Sequence, residues 1–303
     1  MKPLRTRFPT AFGALFGLLL LAGVPTPLHA QASVKIFVAS FGNDASDGSR
    51  GSPKRNFQAA HNAVAADGQI VVLDTAGYGA LTITKGLSIT VPPGVNGYVT
   101  VTTDTPSAIV INTPFADSVT LRGLIIEGGA NRTSETANTN YGIRVLSVGV
   151  LTVEDCTIRN FYDGLAFFPA GPSFTVTRFR LFVHNTNVRN CRYGIDVEAN
   201  EFNYHSALLA NCRIENNGDG LYAGASGGAP TPNVLLEECF LGDNTIALHG
   251  VTDCRVAVSN CTLCYNGNMI VLAGQGSNIG SYGNNRVYQN TGGAAFTFNF
   301  SSN

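Results

Sequence analysis

The chain has 303 residues, a formal net charge of −1 and a charged fraction of only 13%. A nearly neutral chain without a basic run is a poor candidate for binding nucleic acid or an anionic lipid surface. The 34 glycines and the low charge favour a turn-rich, all-β protein over a helical one.

Residues 1–32 have the layout of a secretory signal peptide. A positively charged start precedes an apolar run at residues 11–22, and small residues follow at Ala30 and Ala32. The alternative is a membrane anchor, but the run is shorter than the about 20 residues that a membrane-spanning helix needs. We therefore predict that residues 1–32 are removed, that residues 33–303 form one domain without a membrane span, and that the protein is secreted, periplasmic or part of the cell envelope.

The first regular elements of the predicted domain are a strand, a helix and a second strand. Residues 35–39 form an apolar opening segment, and residues 69–73 form another. Between them, residues 56–66 place Phe57 and Ala60 on one face at helical spacing. This pattern predicts a short amphipathic helix.

Short apolar or alternating segments then follow one another, separated by turns that contain glycine or proline. This pattern predicts strands over residues 81–83, 87–89, 98–101, 108–111 and 119–121.

A phrase of the form apolar-x-polar-Cys-x-apolar-x-polar recurs in the C-terminal half, followed by a glycine turn and an apolar strand. It reads VEDCTIRN at residues 153–160 and LANCRIEN at residues 209–216, and its polar-Cys step returns at residues 238–239 and 260–261. The repeat step is about 22–30 residues, which is typical of a solenoid, because one such unit cannot bury its apolar face alone. A solenoid also needs its open end covered, and the helix at residues 56–66 is a suitable cap.

Strand alternation around the repeated phrase points Val153, Cys156 and Ile158 inward. Four cysteines share this phase and should stack in one buried column: Cys156, Cys212, Cys239 and Cys261. Disulfides are the alternative in an exported protein, but the parallel Cβ vectors of stacked strands make the disulfide torsion awkward. We predict mostly reduced thiols. The spacing of the cysteines predicts no metal site.

The polar residue just before the position of the cysteine column falls at a sharp bend of the chain. Asn185, Asn211, Asn260 and Asn284 occupy this position in four of the repeats, and Asp155 and Glu238 occupy it in two others. Amide side chains stacked from coil to coil satisfy backbone groups that the bend leaves without partners. We predict an asparagine ladder with a structural role.

The repeated phrase, together with the start of the chain around Gly42-Asn43-Asp44, Gly48-Ser49 and Pro53, resembles the right-handed parallel β-helices of the pectate-lyase-like superfamily. The resemblance extends over residues 36–300 and is greatest to uncharacterised secreted bacterial members. It implies an all-β fold, a single-stranded right-handed parallel β-helix with a short N-terminal capping helix. It implies no particular activity, because this fold carries lyases, hydrolases, esterases and non-catalytic adhesins.

The active-site motifs of polygalacturonase-like hydrolases are incomplete in this sequence. Residues 185–187 read NTN where those hydrolases have Asn-Thr-Asp, residues 248–250 read LHG in place of Gly-His-Gly, and residues 213–215 read RIE in place of Arg-Ile-Lys. These departures count against a standard catalytic member.

The resemblance implies that ligands lie along the outer face of the strand that follows each glycine turn. On that face, alternation predicts three candidate catalytic residues: Asp196, Glu198 and Arg144. Six further residues are candidates for substrate binding. Alternation adds Tyr222 and His249, and the turn residues just before the glycines add Tyr141, Asp163, Tyr193 and Asp219 in register. Aromatic rings beside carboxylates suit sugar binding, since rings cover the apolar faces of pyranoses and carboxylates accept hydroxyl hydrogens.

Two chemistries are open to these residues. Asp196 and Glu198 have Cα atoms about 7 Å apart on one strand face, a separation at which two carboxyl groups serve as the acid and base of a glycosidase. Alternatively, Arg144 or His249 is the base of a lyase, with calcium as a possible cofactor held by the carboxylates Asp163 and Asp219. No other cofactor is evident.

Three interpretations of this face follow. Its residues are ordinary solvated side chains of a structural or adhesive solenoid, or they bind a polysaccharide or cell-surface glycan without catalysis, or they belong to a polysaccharide lyase or glycoside hydrolase. We predict a secreted protein that engages polysaccharide along this face, with the other two as alternatives.

Overall fold

The computed structural model describes residues 33–101, 107–129, 140–171, 177–200, 203–226 and 228–300, which belong to one compact unit of the chain. The predicted signal peptide, residues 1–32, lies outside the described residues. In the part of the chain that is described, no helix is both long and apolar enough to cross a bilayer.

The described residues contain one helix and three β-sheets, with elements numbered in chain order. The helix is α1 (Phe57–Ala63). Sheet 1 consists of β1 (Ser33–Val38), β2 (Val64–Val72), β5 (Leu87–Thr90), β8 (Ser118–Arg122), β11 (Val150–Glu154), β14 (Arg178–His184), β17 (Tyr204–Ala210), β20 (Asn233–Glu237), β23 (Arg255–Ser259), β26 (Asn278–Ser281) and β28 (Phe298–Asn299). Sheet 2 consists of β3 (Ala76–Gly77), β6 (Gly97–Val101), β9 (Leu124–Gly128), β12 (Thr157–Arg159), β15 (Asn187–Arg189), β18 (Arg213–Glu215), β21 (Phe240–Gly242), β24 (Thr262–Cys264) and β27 (Arg286–Tyr288). Sheet 3 consists of β4 (Leu81–Ile83), β7 (Ser107–Asn112), β10 (Tyr141–Ser147), β13 (Asp163–Phe167), β16 (Tyr193–Ala199), β19 (Asp219–Ala225), β22 (Ile246–Gly250) and β25 (Asn268–Leu272).

Each coil of the solenoid contributes one strand to each sheet. From β11 the chain turns at a first bend into β12 of sheet 2, then at a second bend into β13 of sheet 3, and returns to sheet 1 at β14. The strands of successive coils pair in parallel, as β11 does with β14 and β12 with β15. The fold is therefore the predicted single-stranded right-handed parallel β-helix, and the strands predicted from alternation are confirmed.

Helix α1 covers the first coil, as predicted for a cap, but it is shorter than residues 56–66. Phe57 and Ala60 are fully buried, and the Phe57 ring centroid lies 5.1 Å from that of Tyr78. The helix ends before Val64, whose backbone is extended and pairs with Ser33 of β1. Strand pairing with the first strand of the domain therefore overrides the helical pattern of the last three residues.

The interior of the solenoid contains the predicted column of cysteines. Cys156, Cys212, Cys239 and Cys261 are buried at the first bend, with Thr186 in the same position between the first two. All seven cysteines of the chain are buried and unpaired. Burial raises the pKa of the Cys156 thiol to about 12, which leaves it protonated and unreactive.

The reduced column predicts that thiol reagents do not reach the native protein. We expect an aromatic disulfide reagent to label fewer than one thiol per chain under native conditions, because the thiolate is the reactive form and burial disfavours it. In denaturant without reductant, all seven cysteines should react. A count of five or three in denaturant would show one or two disulfides and would contradict the reduced column.

The first bend has the geometry that its polar residues predict. Asp155, Asn185, Asn211, Glu238 and Asn260 all have positive φ angles, between 46° and 54°, a region that asparagine and aspartate tolerate better than most side chains. The predicted ladder of amides is present only in part. The Nδ2 of Asn185 donates to the Oδ1 of Asp155 at 2.7 Å, and the Nδ2 of Asn284 donates to the Oδ1 of Asn260 at 3.0 Å.

A longer asparagine ladder lies inside the second bend and was not predicted. Asn217, Asn244, Asn266 and Asn290 stack from coil to coil, with each Nδ2 of the first three donating to the next Oδ1 at 3.1, 3.1 and 2.8 Å. The same Oδ1 atoms accept the backbone N–H of the preceding coil, and the Nδ2 atoms also donate to backbone carbonyls. The ladder satisfies buried backbone groups that the bend removes from the sheets.

Candidate functional site

All nine predicted site residues lie on the outer face of sheet 3, on β10, β13, β16, β19 and β22. The strand register aligns Tyr141, Asp163, Tyr193 and Asp219 in one column across the strands. It aligns Arg144, Ala166, Asp196, Tyr222 and His249 in a second column. Glu198 lies two residues beyond Asp196, opposite Gly224. Stacking of coils thus brings residues that are more than a hundred positions apart, such as Tyr141 and His249, onto one surface, called here the sheet 3 face.

A glycine is the second residue of β10, β13, β16 and β19, and it lies where neighbouring coils approach each other closely. A Cβ atom on Gly164 would lie 2.5 Å from the carbonyl oxygen of Gly194, and one on Gly194 would lie 2.7 Å from that of Gly220. Neighbouring coils approach too closely here for any side chain. The residues before the glycines, Asp163, Tyr193 and Asp219, are therefore held at fixed positions at the start of the face.

Aromatic rings form a continuous line along the sheet 3 face. Ring centroids are 5.5 Å apart between Tyr162 and Tyr193, 5.0 Å between Tyr193 and Tyr222, and 5.1 Å between Tyr222 and His249, all edge to face. Beside this line, the Arg144 guanidinium lies 4.8 Å from the ring centroid of Tyr141. Tyr162 was not among the predicted residues, because it precedes the strand and alternation alone does not place it.

The carboxyl groups of the face are largely hidden from solvent. Asp163, Asp196 and Asp219 are only 4%, 6% and 8% exposed, and Glu198 is half-buried. The Oδ1 atoms of Asp163 and Asp196 have no hydrogen-bond partner. Buried carboxyl oxygens are normally paired, so the interpretation of these residues as ordinary solvated side chains does not fit their environment.

Burial and mutual repulsion change the acidity of this cluster. Burial, and then the charge of Glu198, raise the pKa of Asp163 to about 7, although Arg144 acts in the opposite direction. Burial, followed by the charges of Glu198, Asp163 and Asp219, raises the pKa of Asp196 well above its usual range. Burial also raises the pKa of Glu198. At neutral pH the cluster therefore holds protons and is able both to donate and to accept them.

Asp219 and His249 form a pair that the sequence did not predict. The Nδ1 of His249 lies 2.6 Å from the Oδ2 of Asp219. With the proton on Nδ1, His249 donates to the carboxylate, and its Nε2 is left as an acceptor with no partner. Both residues were predicted to bind substrate, with calcium binding by Asp219 and a base role for His249 as the alternative; the structure couples their side chains to each other.

Asp163 and Asp219 were predicted to hold calcium if the protein is a lyase. Among the described residues, no three His, Cys, Asp or Glu side chains come together as a group able to hold a metal ion. Calcium dependence stays a prediction, without a preformed ligand cluster to support it.

Comparison with known proteins agrees with the coil geometry. A family model described as "Right handed beta helix region" matches residues 107–291. The chain belongs to this family. Among proteins with curated descriptions, none matches the sequence.

Solved structures with the same right-handed β-helix include the pectate lyase Pel9A, with a TM-score of 0.58 at 14% identity over 87% of this chain and 79% of that one. A pectin methylesterase from Aspergillus niger has a TM-score of 0.46 at 13% identity, over 90% of this chain and 92% of that one. At 14% identity, the likeness to the pectate lyase Pel9A concerns the β-helix fold alone.

Proposed function

We propose that this β-helix protein is exported and binds a polysaccharide chain along the sheet 3 face. The observation that supports this most directly is the line of rings from Tyr162 to His249, which lies beside buried carboxyl oxygens without partners. Neither feature contributes to the interior of the solenoid, and both are expensive to keep on an outer surface unless a ligand uses them.

The direction of the ring line suits a linear glycan. Successive coils are about 4.8 Å apart, which is comparable with the length of one pyranose unit in an extended chain. A glycan that runs parallel to the solenoid axis then places one sugar beside each coil. Tyrosine rings contact the apolar faces of the sugars, and carboxyl groups exchange hydrogen bonds with their hydroxyls.

Cleavage of the bound chain is a second candidate function, and the acidity of the carboxyl cluster favours it. A carboxyl group whose pKa lies near or above neutrality is able to act as a general acid at physiological pH. In this proposal, protonated Asp196 gives its proton to the leaving glycosidic oxygen, and Glu198 takes the proton of the attacking water. Arg144 stabilises negative charge near Asp163.

The binding proposal is tested with a panel of neutral, acidic and basic polysaccharides, with calcium and with a chelator. We expect at least one glycan to bind, and Tyr193→Ala and Tyr222→Ala to weaken its binding about tenfold each, because each removes a stacked ring. The matched control is Tyr204→Ala, which removes an exposed tyrosine from sheet 1. Absence of binding across the panel would contradict the proposal and favour a structural or adhesive solenoid.

Cleavage is tested in the same panel by measuring reducing ends and the absorbance of unsaturated products. If the second candidate is correct, Asp196→Asn and Glu198→Gln should each lower the rate about 100-fold or more while binding persists, since they remove the acid and the base. Binding without any product would exclude cleavage of the tested glycans and keep the binding proposal.

A further inference from the structure

The sheet 3 face carries more acidic groups than basic ones. Its carboxyl groups are Asp163, Asp196, Glu198 and Asp219, and the basic groups that face them are Arg144 on β10 and His249 on β22. Arg192 lies at the edge of the face, with its guanidinium 5.6 Å from the ring centroid of Tyr193. The remaining titratable neighbours are the tyrosines of the ring line and Tyr141.

The basic groups do not reach the centre of this cluster. His249 is engaged with Asp219, and Arg144 acts on Asp163. The charges that raise the pKa of Asp196 are those of Glu198, Asp163 and Asp219, which are all acidic. Asp196 is therefore a nearly buried carboxyl group, 6% exposed, with acidic neighbours and an oxygen that lacks a partner.

We propose that the glycan bound on the sheet 3 face is an amino-sugar polymer with free amino groups, and that a sugar ammonium group binds among Asp196, Asp163 and Glu198. This inference rests on the proposed binding of polysaccharide and names its class. An ammonium group offers three donors and a positive charge, so it satisfies a free carboxyl oxygen with a charge-assisted hydrogen bond and is attracted by the charges of the neighbouring carboxyl groups. A uronate polymer would instead bring carboxylates next to carboxylates, and a neutral glycan would offer only hydroxyl donors.

Binding of an ammonium group should also move protons. The cluster holds protons at neutral pH because it is buried and because its carboxyl groups outnumber the one cation, Arg144, that acts on Asp163. A cation placed beside the carboxyl groups favours their ionised form and lowers their pKa. Binding therefore releases protons from the protein, and acidification weakens it because the carboxyl groups must first lose their protons.

The test compares three oligosaccharides of equal length: glucosamine, N-acetylglucosamine and galacturonate oligomers. Titration calorimetry at pH 7 in two buffers of different ionisation enthalpy gives both the affinity and the number of protons released. We expect the glucosamine oligomer to bind at least about tenfold more tightly than the acetylated one, as an added charged hydrogen bond implies, and to release protons. The affinity of the glucosamine oligomer should decrease at pH 5.

Variants separate this site from general attraction between a polycation and an acidic protein. Asp196→Asn should abolish the preference for the free amine, whereas Glu154→Gln, which removes a partly exposed carboxylate on sheet 1, should leave it unchanged. If Asp196→Asn fails to fold, as judged by circular dichroism and its melting temperature, Glu198→Gln takes its place. Loss of the preference in both Asp196→Asn and Glu154→Gln would overturn the inference.

The outcomes also distinguish the two proposals. Equal affinity for the free and acetylated oligomers, or tighter binding of galacturonate, would overturn the amino-sugar inference and leave polysaccharide binding intact. Failure to bind any glycan, here and in the wider panel, would overturn both. Tight binding of the glucosamine oligomer that Asp196→Asn leaves unchanged would place the amine away from the buried carboxyl cluster and would also overturn the inference.

Discussion

Replacing Asn244 by alanine is expected to lower the free energy of unfolding by about 3–5 kcal/mol. Asn244 is 2% exposed and stands in the middle of the inner ladder. Its Oδ1 accepts from the backbone N and the Nδ2 of Asn217, and its Nδ2 donates to the carbonyl oxygen of Ile214. Alanine leaves these buried groups without partners, and each such group costs about 1–3 kcal/mol.

The measurement is urea unfolding followed by circular dichroism, with the slopes of the transitions compared to confirm that the same surface unfolds. The matched control is Asn233→Ala, because Asn233 is exposed and its side chain bonds only to the nearby carbonyl of Thr231. We expect the control to change stability by no more than about 0.5 kcal/mol. A loss below about 1 kcal/mol for Asn244→Ala would show that water or a local rearrangement satisfies the groups that the ladder now pairs.

The two bends show why the cysteine column was predictable from the sequence and the asparagine ladder at the second bend was not. At the first bend, cysteine occupies the inner position in four coils, so a repeated letter reveals the column. At the second bend, the inner position is Phe161, then Cys191, and becomes asparagine only from Asn217 onward. The steps of 27 and 22 residues from Asn217 to Asn244 and Asn266 match those from Cys212 to Cys239 and Cys261. Asn290 follows after 24 residues, in the coil where the first bend has Asn285 in place of a cysteine. That shared spacing was the signal available in the sequence.

Placement of residues on the sheet 3 face was predictable, but their environment was not. Strand alternation after a glycine decides which side chains point outward, and this depends only on neighbours in sequence. The hydrogen bond from His249 to Asp219 joins two successive coils diagonally, so it depends on how far each coil is shifted against the next. The burial of Asp196 depends on everything packed around the face, which periodicity does not specify.

Asp163 is buried on the same face, and its replacement gives the second large effect: Asp163→Asn is expected to stabilise the protein by about 2–4 kcal/mol at pH 8. The pKa of Asp163 is raised from 3.8 to about 7 in the fold, mainly by burial. Above about pH 7 the ionised carboxylate is therefore held in the folded state at a cost that the unfolded chain does not bear. Asparagine has nearly the same shape and no charge, so the substitution removes that cost.

The sign of the pH dependence follows from the same two pKa values. Because the folded-state pKa is the higher one, the destabilisation is complete above about pH 7, decreases as the pH falls towards 3.8, and vanishes below it. The advantage of Asp163→Asn should therefore be large at pH 8, smaller at pH 5 and absent at pH 3.5. Glu154→Gln, at a partly exposed carboxylate 3.9 Å from Arg122 on sheet 1, is the control and should show no comparable gain at pH 8.

Urea unfolding of Asp163→Asn and of the unmodified protein at these three pH values gives the measurement. A variant that is less stable at pH 8 would mean that the carboxylate of Asp163 has a stabilising partner in the fold. The Oδ1 of Asp196 would then be the one unpaired carboxyl oxygen of the cluster that still supports a ligand there. A variant that is more stable but binds glycan more weakly would show that the face keeps an unfavourable charge for the sake of a ligand. Such an exchange of stability for binding distinguishes a functional site from a structural feature of the coil.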